Sequence, residues 1–340
     1  MTDHTIGVDI SKSHLDVFRL EDGAAQRFDN SAVGFRSLIK WLSKAPVVRI
    51  VFEPTGPYHK TFEIALGERF PLVKVNPLQA RRFAQAHGTR AKTDAVDAQM
   101  LARMGAAFGL EPQAPCSKET RILKDLHVAR TGLIKDRTRL RNRAQTQDIA
   151  VLKRQTKARL DQVNRQIAEL DAEIKAIIKA GRDTARNRDI LCSMPGSGAV
   201  TAAAMLTLLP EIGTLERKQV ASLAGLAPIT RQSGQWQGKS FIGGGRKQLR
   251  DALYMPALVA IKHNPDLKAK YEALRGTGKP AKVAIVAVMR KLIEMANALV
   301  KADRTWTQKS LIKTDTFQTH STLTALTRDY IFGLRKNVTV

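Results

Sequence analysis

Strand-like and helix-like segments alternate along roughly the first hundred residues, and this alternation constrains the fold more than any other feature of the chain. Residues 5–30 contain three short runs of period-two hydrophobicity, the first built on Ile6, Val8 and Ile10. Beyond them the pattern predicts strands at 47–52 and 72–75 and helices at 31–44, 58–67, 77–87 and 94–108. Two close hairpins followed by β/α units predict a mixed sheet with an antiparallel flank, so residues 1–116 are expected to form an α/β domain.

A long basic segment begins near residue 117. Between residues 121 and 165 there are 13 basic and 4 acidic side chains, without proline or aromatic residues. Apolar residues then follow the 3-4-3-4-3 spacing of a coiled-coil seam, at Leu160, Val163, Ile167, Leu170, Ile174 and Ile177. Residues 117–187 are therefore expected to form a basic coiled-coil linker folded as a helical hairpin. The seam can pack within one chain or between two chains, and the spacing leaves both open.

The remainder of the chain is predicted to be mainly helical. Residues 188–310 show helical patterns with glycine-rich interruptions, whereas residues 311–340 have no clear period and are assigned no role. The predicted fold class is thus α/β plus α, with a mixed-sheet domain, a helical hairpin and a mainly helical domain.

The charge balance points to nucleic acid as the partner. The chain has 56 lysines and arginines against 31 acidic residues, a formal net charge of +25 at pH 7. Such an excess says nothing about the fold, but it favours binding to a polyphosphate. A merely solubilising or ribosome-type surface is the alternative.

Cysteine content and hydropathy bear on the compartment. Two cysteines, Cys116 and Cys192, are too few for a disulfide framework, and the most apolar stretch, residues 199–210, is shorter than the roughly 20 residues of a membrane span. No charged and apolar leader opens the chain. A soluble cytoplasmic protein without a membrane partner is expected.

Four acidic residues occupy positions that suggest a metal site. Asp9 and Glu53 each end a predicted strand, and Asp94 and Asp97 lie three residues apart on one face of a predicted helix. Strand ends are where α/β sheets bind ligands, and clustered carboxylates suit Mg²⁺ or Mn²⁺. Two such ions can assist phosphodiester cleavage. Helix capping or the helix dipole explains Asp94 and Asp97 without a metal, but Asp9 and Glu53 lack so simple an explanation.

Two glycine-containing segments in the last domain are candidates for contact with DNA. Gly196 and Gly198 lie in a turn typical of a helix-hairpin-helix element, where backbone N–H groups can approach a phosphate. A plain turn between helices explains the same residues. Further along, a glycine-rich loop contains Ser233 and Ser240, with Lys239, Arg246 and Arg250 as hypothetical phosphate ligands. A serine there can attack a phosphodiester, but a β-hairpin with exposed serines accounts for the spacing equally well.

Several motifs resemble those of the Piv/MooV-type transposases of insertion sequences. They are GVDISK at 7–12, FEPTG at 52–56, KTDAVDAQMLA at 92–102, the PGxGxxTA pattern at 195–202 and a glycine-rich segment at 233–245 that opens on a Ser-Gly pair. The resemblance implies a RuvC-like N-terminal domain with an RNase H fold, whose D-E-D-D set falls on Asp9, Glu53, Asp94 and Asp97. Lys92, beside this set, becomes a candidate for binding nucleic acid. The nucleophilic serine of the family falls on Ser233, and Ser240 ranks second.

The resemblance also implies partners and an activity. Such proteins cut and rejoin DNA as homo-oligomers, dimers or tetramers, with active sites composed from different protomers, and a bridge RNA encoded by the element pairs with target and donor DNA. The basic hairpin is compatible with binding either RNA or the DNA backbone. A metal-only Holliday-junction resolvase or nuclease, or a non-enzymatic nucleic-acid-binding protein, are the alternative functions.

Overall fold

The structure, a computed structural model, describes residues 3–44, 46–54, 56–88, 93–113 and 117–307. Lys92 and the tail at 311–340 lie outside the described residues. The chain divides into two compact units, the first Met1–Lys118 and the second beginning at Glu119. The helical hairpin and the helices after it therefore belong to one unit. Within the described residues, no helix combines the length and the apolar character that crossing a membrane requires.

A five-stranded mixed sheet forms the centre of the first unit. Its strands are β1 (His4–Ile10), β2 (His14–Arg19), β3 (Ala25–Asp29), β4 (Val47–Phe52) and β5 (Leu72–Lys74). They lie in the order β3-β2-β1-β4-β5, with β1, β2 and β3 antiparallel and β1, β4 and β5 parallel. The predicted mixed sheet with an antiparallel flank is confirmed.

Four helices cover the sheet at the places that the hydrophobic pattern predicts. They are α1 (Ala32–Leu42), α2 (His59–Leu66), α3 (Pro77–Ala86) and α4 (Asp94–Ala107). Ser31 is the N-cap of α1, and its side chain accepts a hydrogen bond from the Gly34 N–H. The N-cap of α4 is Thr93, so Asp94 is the first residue of the helix and the capping role considered for it is wrong. Asp94 does lie in the first turn of α4, where a negative charge interacts favourably with the helix dipole.

The two faces of the sheet carry different cores. Ile6, Val8 and Ile10 of β1 are buried in one cluster with side chains of α1 and α2. Val51 of β4 points to the opposite face, where Leu101 of α4 packs with it. Since successive side chains of a strand alternate between faces, Gly7 and Asp9 lie on the α4 face.

The described part of the second unit, up to residue 307, is helical apart from four two-residue strands. Its helices are α5 (Lys118–Gln145), α6 (Ala150–Ala180), α7 (Arg182–Cys192), α8 (Ala199–Leu208), α9 (Arg217–Leu223), α10 (Lys247–His263), α11 (Pro265–Gly276) and α12 (Ala281–Lys301). Between α9 and α10 the chain forms β6 (Pro228–Ile229), β7 (Gln232–Ser233), β8 (Trp236–Gln237) and β9 (Phe241–Ile242). The core is aliphatic, with α12 contributing its largest share of buried residues.

The hairpin of α5 and α6 is tied together by contacts within one chain. Ile167 and Ile174, two residues of the predicted seam, are 6% and 4% exposed. Arg130 of α5 donates hydrogen bonds to Asp171 of α6. Leu123 of α5 shares the helical core with Ile174. The part of the seam that contains Ile167 and Ile174 is thus packed within a single chain.

Candidate functional site

A close approach between α4 and β1 positions the acidic residues. A Cβ atom on Gly7 would lie 1.9 Å from the carbonyl oxygen of Ala98 and 2.5 Å from the backbone nitrogen of Ala102. The absence of a side chain at Gly7 therefore allows the helix to rest directly on the strand. Because Asp94 and Asp97 begin this helix, the same contact brings them over the end of β1, where Asp9 lies two residues beyond Gly7 on the same face.

All four predicted acids line one cavity of the first unit. The cavity has a volume of about 920 Å³ and contains Asp9, Glu53, Asp94 and Asp97 in its wall. Strand β4 pairs in parallel with β1, with Val8 opposite Phe52, so Glu53 directly after β4 continues the row next to Asp9. Four carboxylates scattered over the sequence thus line one cavity.

The pKa of Asp9 reflects its burial and the carboxylates around it. Its pKa is raised from 3.8 to about 6, first by burial and then by the negative charges of Asp94, Asp97, Asp16 and Glu53. Both causes disfavour the ionised carboxylate. A divalent cation would relieve this repulsion, and hard oxygen donors are the ligands that Mg²⁺ and Mn²⁺ prefer. The donor set therefore fits the metal that the acidic pattern predicts.

Asp16 is a fifth carboxylate that the sequence analysis missed. It lies directly opposite Asp9 in the β1–β2 pair and is only 8% exposed. Arg27 lies opposite Asp16 on β3 and donates two hydrogen bonds of 3.0 Å to its carboxylate. Arg27, Asp16 and Asp9 thus form a row across β3, β2 and β1, and Glu53 continues it just beyond the end of β4. The hairpin register was the available signal, because pairing the apolar residues Val8 and Val17 places Asp16 opposite Asp9.

Among the described residues, one close set of metal-ligating groups includes residues outside the predicted four. A ring nitrogen of His14 and carboxylate oxygens of Asp16 and Asp94 all lie within 4.8 Å of one another. Arg27 is 3.8 Å from Asp94 and so contributes a positive charge to this set. Within the part of the chain that the structure describes, no three of the predicted acids approach one another this closely. Carboxylates that bind two cations about 3.5–4 Å apart can lie on opposite sides of the metal pair, so they do not have to be this close to one another.

Two basic residues line the same cavity, Lys12 after β1 and Arg81 on α3. Lys12 ends the GVDISK segment, but no role was predicted for it, and Arg81 was not anticipated. A cavity with both carboxylates and cations can hold metal ions and the phosphates that they act on.

Ser233 lies in the second unit, at the tip of a two-residue β-turn. Strand β7 pairs with β8 so that Ser233 is opposite Trp236, and Gly234 and Gln235 form the turn. Gly234 has a φ of +56°, the left-handed conformation that a type II′ turn requires at its first position. Ser233 and Ser240 are both exposed. The segment therefore forms a β-hairpin with exposed serines, which is one of the two interpretations of its sequence.

The basic residues near Ser233 differ in their surroundings. Lys239 is exposed. Arg246 donates hydrogen bonds of 2.7 and 2.6 Å to Glu211, and Arg250 donates one of 2.8 Å to the Gly244 carbonyl. Burial is the largest single influence on Glu211 and raises its pKa, but the hydrogen bond from Arg246, a backbone hydrogen bond and the positive charges of Arg246 and Lys124 together lower the pKa overall. Arg246 and Arg250 therefore have partners within the unit, whereas the phosphate-binding role predicted for them stays a prediction.

The turn between α7 and α8 contains the other two glycines singled out. A Cβ atom on Gly196, whose φ is +94°, would lie 2.6 Å from the Pro256 carbonyl oxygen, so packing against α10 accounts for this glycine. Gly198 precedes α8 in an exposed, extended conformation, with nothing within 4 Å of a Cβ placed there. Phosphate binding by this turn stays a prediction.

Comparison with known proteins identifies relatives along nearly the whole chain. Residues 6–147 match the IS110-type DEDD transposases, and residues 188–272 match the transposase IS116/IS110/IS902 family. The pilin gene-inverting proteins of Moraxella bovis and Moraxella lacunata are each 31% identical over 314 residues, 88% of this chain and 96% of theirs. An uncharacterised protein of the insertion element IS110 from Streptomyces coelicolor is 32% identical over 145 residues, 42% of this chain and 35% of its own.

Proposed function

The chain belongs to the IS110/IS116 family of insertion-sequence transposases, and from this premise we propose that it cuts and rejoins DNA through Ser233 as nucleophile, assisted by metal ions on Asp9, Glu53, Asp94 and Asp97. Family membership makes the chain a DNA-processing enzyme of transposition or recombination. The observation that supports the finer proposal best is the convergence of four carboxylates on Asp9, with the rise in the pKa of Asp9 to about 6.

The acidic cavity is suited to hold the scissile phosphate next to divalent ions. Asp9, Glu53, Asp94 and Asp97 would be the metal ligands, and bound Mg²⁺ or Mn²⁺ would polarise the phosphate and stabilise the charge that develops on its oxygens. Arg27 holds Asp16, and its charge lies 3.8 Å from Asp94, which keeps two of the carboxylates in place near the ligands. Lys12 and Arg81 would bind the flanking phosphates of the same strand.

Ser233 would then perform a transesterification. Its Oγ forms a bond to phosphorus while the bond from phosphorus to a deoxyribose oxygen breaks, the hydroxyl proton leaves to solvent, and the departing oxygen takes up a proton. A hydroxyl group of another DNA strand later attacks the phosphoserine, which rejoins the DNA and restores the serine. Since each step exchanges one phosphodiester for another, no nucleotide triphosphate is consumed. The exposed position of Ser233 at a hairpin tip leaves it accessible to DNA.

The name of two relatives favours recombination over simple hydrolysis. Gene inversion, the process for which the Moraxella proteins are named, requires that cut strands be rejoined. A nuclease that activates water would leave ends, so a covalent serine intermediate is the better match. Together with the resemblance, this supports a homo-oligomer, a dimer or tetramer whose protomers share the work of strand exchange.

The guide RNA is the part of the proposal that rests on resemblance alone. The basic surface of α5 and α6 suits a polyphosphate partner of either kind. Sequencing the nucleic acid that co-purifies with the protein tests it directly. Recovery of one structured RNA encoded next to the gene supports guidance, whereas recovery of DNA alone contradicts it.

Trapping of a covalent complex tests the serine. After denaturation in detergent, labelled DNA carrying the ends of the element is expected to stay attached to the wild type and to Ser240→Ala, and to be released from Ser233→Ala. Asp9→Asn is expected to bind DNA but to form no attachment. Cleavage that persists in Ser233→Ala would indicate a metal-only nuclease. Unchanged DNA processing in Asp9→Asn would indicate that the acids are structural.

A further inference from the structure

The hairpin that contains Ser233 also presents the most exposed tryptophan of the chain. The chain has three tryptophans, and Trp236 is 59% exposed, whereas Trp41 and Trp306 are partly covered. Arg19 lies 4.5 Å from the centre of the Trp41 ring, and Trp306 packs against the helical core. Large aromatic side chains usually bury most of their surface, so an exposed indole next to a candidate nucleophile calls for a partner.

The indole is held in place from one side by the backbone of its own hairpin. A Cβ atom on Gly238 would lie 2.4 Å from Cη2 of Trp236, so the glycine allows the ring to lie against the strand. The Gly238 N–H donates a 2.9 Å hydrogen bond to the Arg231 carbonyl, which fixes that strand. An aromatic ring supported in this way and still largely exposed is a preformed stacking surface.

The segment that carries the ring is basic. Residues 228–245 include two basic side chains, Arg231 and Lys239, and no acidic ones. The guanidinium of Arg231 lies 4.7 Å from the centre of the Phe241 ring, and Lys239 is exposed nearby in the sequence. Aromatic rings interleaved with cations are typical of surfaces that bind single-stranded nucleic acid, where cations track the phosphates and rings stack on bases. The positive charge of this surface favours an anionic partner over an apolar protein surface.

The register of the hairpin sets the distance between the ring and the serine. Ser233 and Trp236 are directly opposite in an antiparallel pair, so their Cβ atoms are about 4.5–5.5 Å apart on the same side. A base stacked on the indole would therefore belong to a nucleotide adjacent to the phosphate at Ser233. In a duplex both faces of each base are covered by neighbouring bases, so the stacked base must be unpaired.

We propose that Trp236 stacks on an unpaired base of the DNA strand that Ser233 attacks, and thereby positions the scissile phosphate. The proposal rests on the function proposed above and names a positioning residue for it. Strand exchange requires local unpairing, and a stacking surface beside the nucleophile stabilises the unpaired strand where it is cut.

An oligonucleotide that lacks bases separates stacking from backbone attraction. The full-length protein is titrated against a labelled thymidine oligomer and an abasic oligomer of equal length, with binding followed by anisotropy. The wild type is expected to prefer the thymidine oligomer by about 5- to 150-fold, the range for one stacked base. Trp236→Ala is expected to bind both oligomers equally, and Trp236→Phe to retain most of the preference. Phe108→Ala, which removes a ring that is 61% exposed in the first unit, is the matched control and should retain the full preference.

The outcomes distinguish this inference from the proposed function. Equal affinity of the wild type for both oligomers, or a preference that survives Trp236→Ala, overturns the inference whatever the serine does. A stronger Trp236-dependent preference for a uridine RNA oligomer overturns the assignment to DNA. Loss of self-association in Trp236→Ala with an unchanged preference assigns the ring to contact with a second copy of the chain. If the base preference holds while Ser233→Ala still forms the covalent complex, the assignment of the nucleophile fails and the stacking stands.

Discussion

Asp9 is the residue at which the negative charges of the first unit accumulate. Burial and four neighbouring carboxylates raise its pKa to about 6, so the folded state holds the Asp9 proton more tightly than the unfolded chain does. As the pH rises from 3.8 towards 6, ionisation of Asp9 therefore lowers the free energy of unfolding, and above about pH 6 this loss of stability is complete. Ligands that must converge on a cation are, without the cation, a source of instability.

Removing the charge of Asp9 should therefore stabilise the protein in the absence of metal. At pH 8 in EDTA, we expect Asp9→Asn to raise the free energy of unfolding by about 1–3 kcal/mol. Added Mg²⁺ should stabilise the wild type and have little effect on the variant, because a ligand is lost. Thermal unfolding with and without Mg²⁺ measures both effects.

Asp22→Asn is the control, because the pKa of Asp22 is shifted in the direction opposite to that of Asp9. Hydrogen bonding to Arg19 lowers the pKa of Asp22 to about 2, so the charge of Asp22 is favourable in the folded state. This variant should gain no stability in EDTA and should respond to Mg²⁺ like the wild type. A destabilised Asp9→Asn protein would show that the Asp9 carboxylate has a structural role that outweighs the repulsion.

Residue identity alone was a poor guide to the basic side chains. Lys239, Arg246 and Arg250 look alike as candidates for phosphate binding, since all three surround a glycine-rich serine loop. The structure gives Arg246 a carboxylate partner, Glu211, and Arg250 a carbonyl partner, and leaves Lys239 exposed. A guanidinium can make hydrogen bonds within the fold as readily as with a phosphate.

At the scale of elements, the packing of α4 on β1 decides whether the acids meet. The helix rests on the strand at Gly7, where the nearest atoms to a Cβ would be backbone atoms of Ala98 and Ala102. Backbone atoms cannot turn aside as the end of a long side chain can. The helix that supplies Asp94 and Asp97 is thus held at a distance that a single methyl group would change.

We expect Gly7→Ala to destabilise the protein and to weaken metal binding together. The added Cβ overlaps the Ala98 carbonyl oxygen at 1.9 Å, and overpacking of this kind costs about 1–3 kcal/mol or more. Displacement of α4 should also reduce the stabilisation by Mg²⁺, measured by thermal unfolding as above. Gly132→Ala, inside α5 with nothing within 4 Å, is the matched control and should stabilise by about 0.5–1 kcal/mol. A Gly7→Ala protein with normal stability would contradict the close packing.

At the scale of the whole molecule, the excess of positive charge is expected to govern the interaction with DNA. A net charge of +25 predicts that binding depends on the release of counterions from the phosphates. We expect the logarithm of the DNA affinity to fall linearly with the logarithm of the salt concentration, by about 0.9 per phosphate contacted. Lys239→Ala should reduce the magnitude of this slope by about 0.9, the contribution of one phosphate contact. Trp236→Ala should lower the affinity and leave the slope unchanged. Titrations at several salt concentrations measure both quantities, and an affinity independent of salt would contradict the electrostatic account.

The two compact units divide the proposed chemistry between them. The acids lie in the unit Met1–Lys118, and Ser233 lies in the unit that begins at Glu119. Each unit has its own buried core, so each part of the site is held by its own packing. Family matches to residues 6–147 and 188–272 cover parts of both units.

What could be predicted from the sequence is what depends on neighbours along the chain. Period-two and helical hydrophobic patterns located the strands and helices, and the alternation of faces put Asp9 away from Ile6, Val8 and Ile10. Strand-end positions indicated Asp9 and Glu53, and a three-residue spacing put Asp94 and Asp97 on one face of a helix. Each of these inferences uses a period of a few residues, which the order of the residues contains in full.

Only the tertiary structure decided which distant groups meet. The pairing of β1 with β2 added Asp16 to the acidic residues, the contact of Gly7 with α4 brought the helix acids over the strand, and Glu211 became the partner of Arg246. Trp236 joined Ser233 through the register of a hairpin whose turn depends on one glycine with positive φ. Register and packing distance come from the fit between surfaces that are far apart in the chain, and no local pattern of residue types specifies that fit.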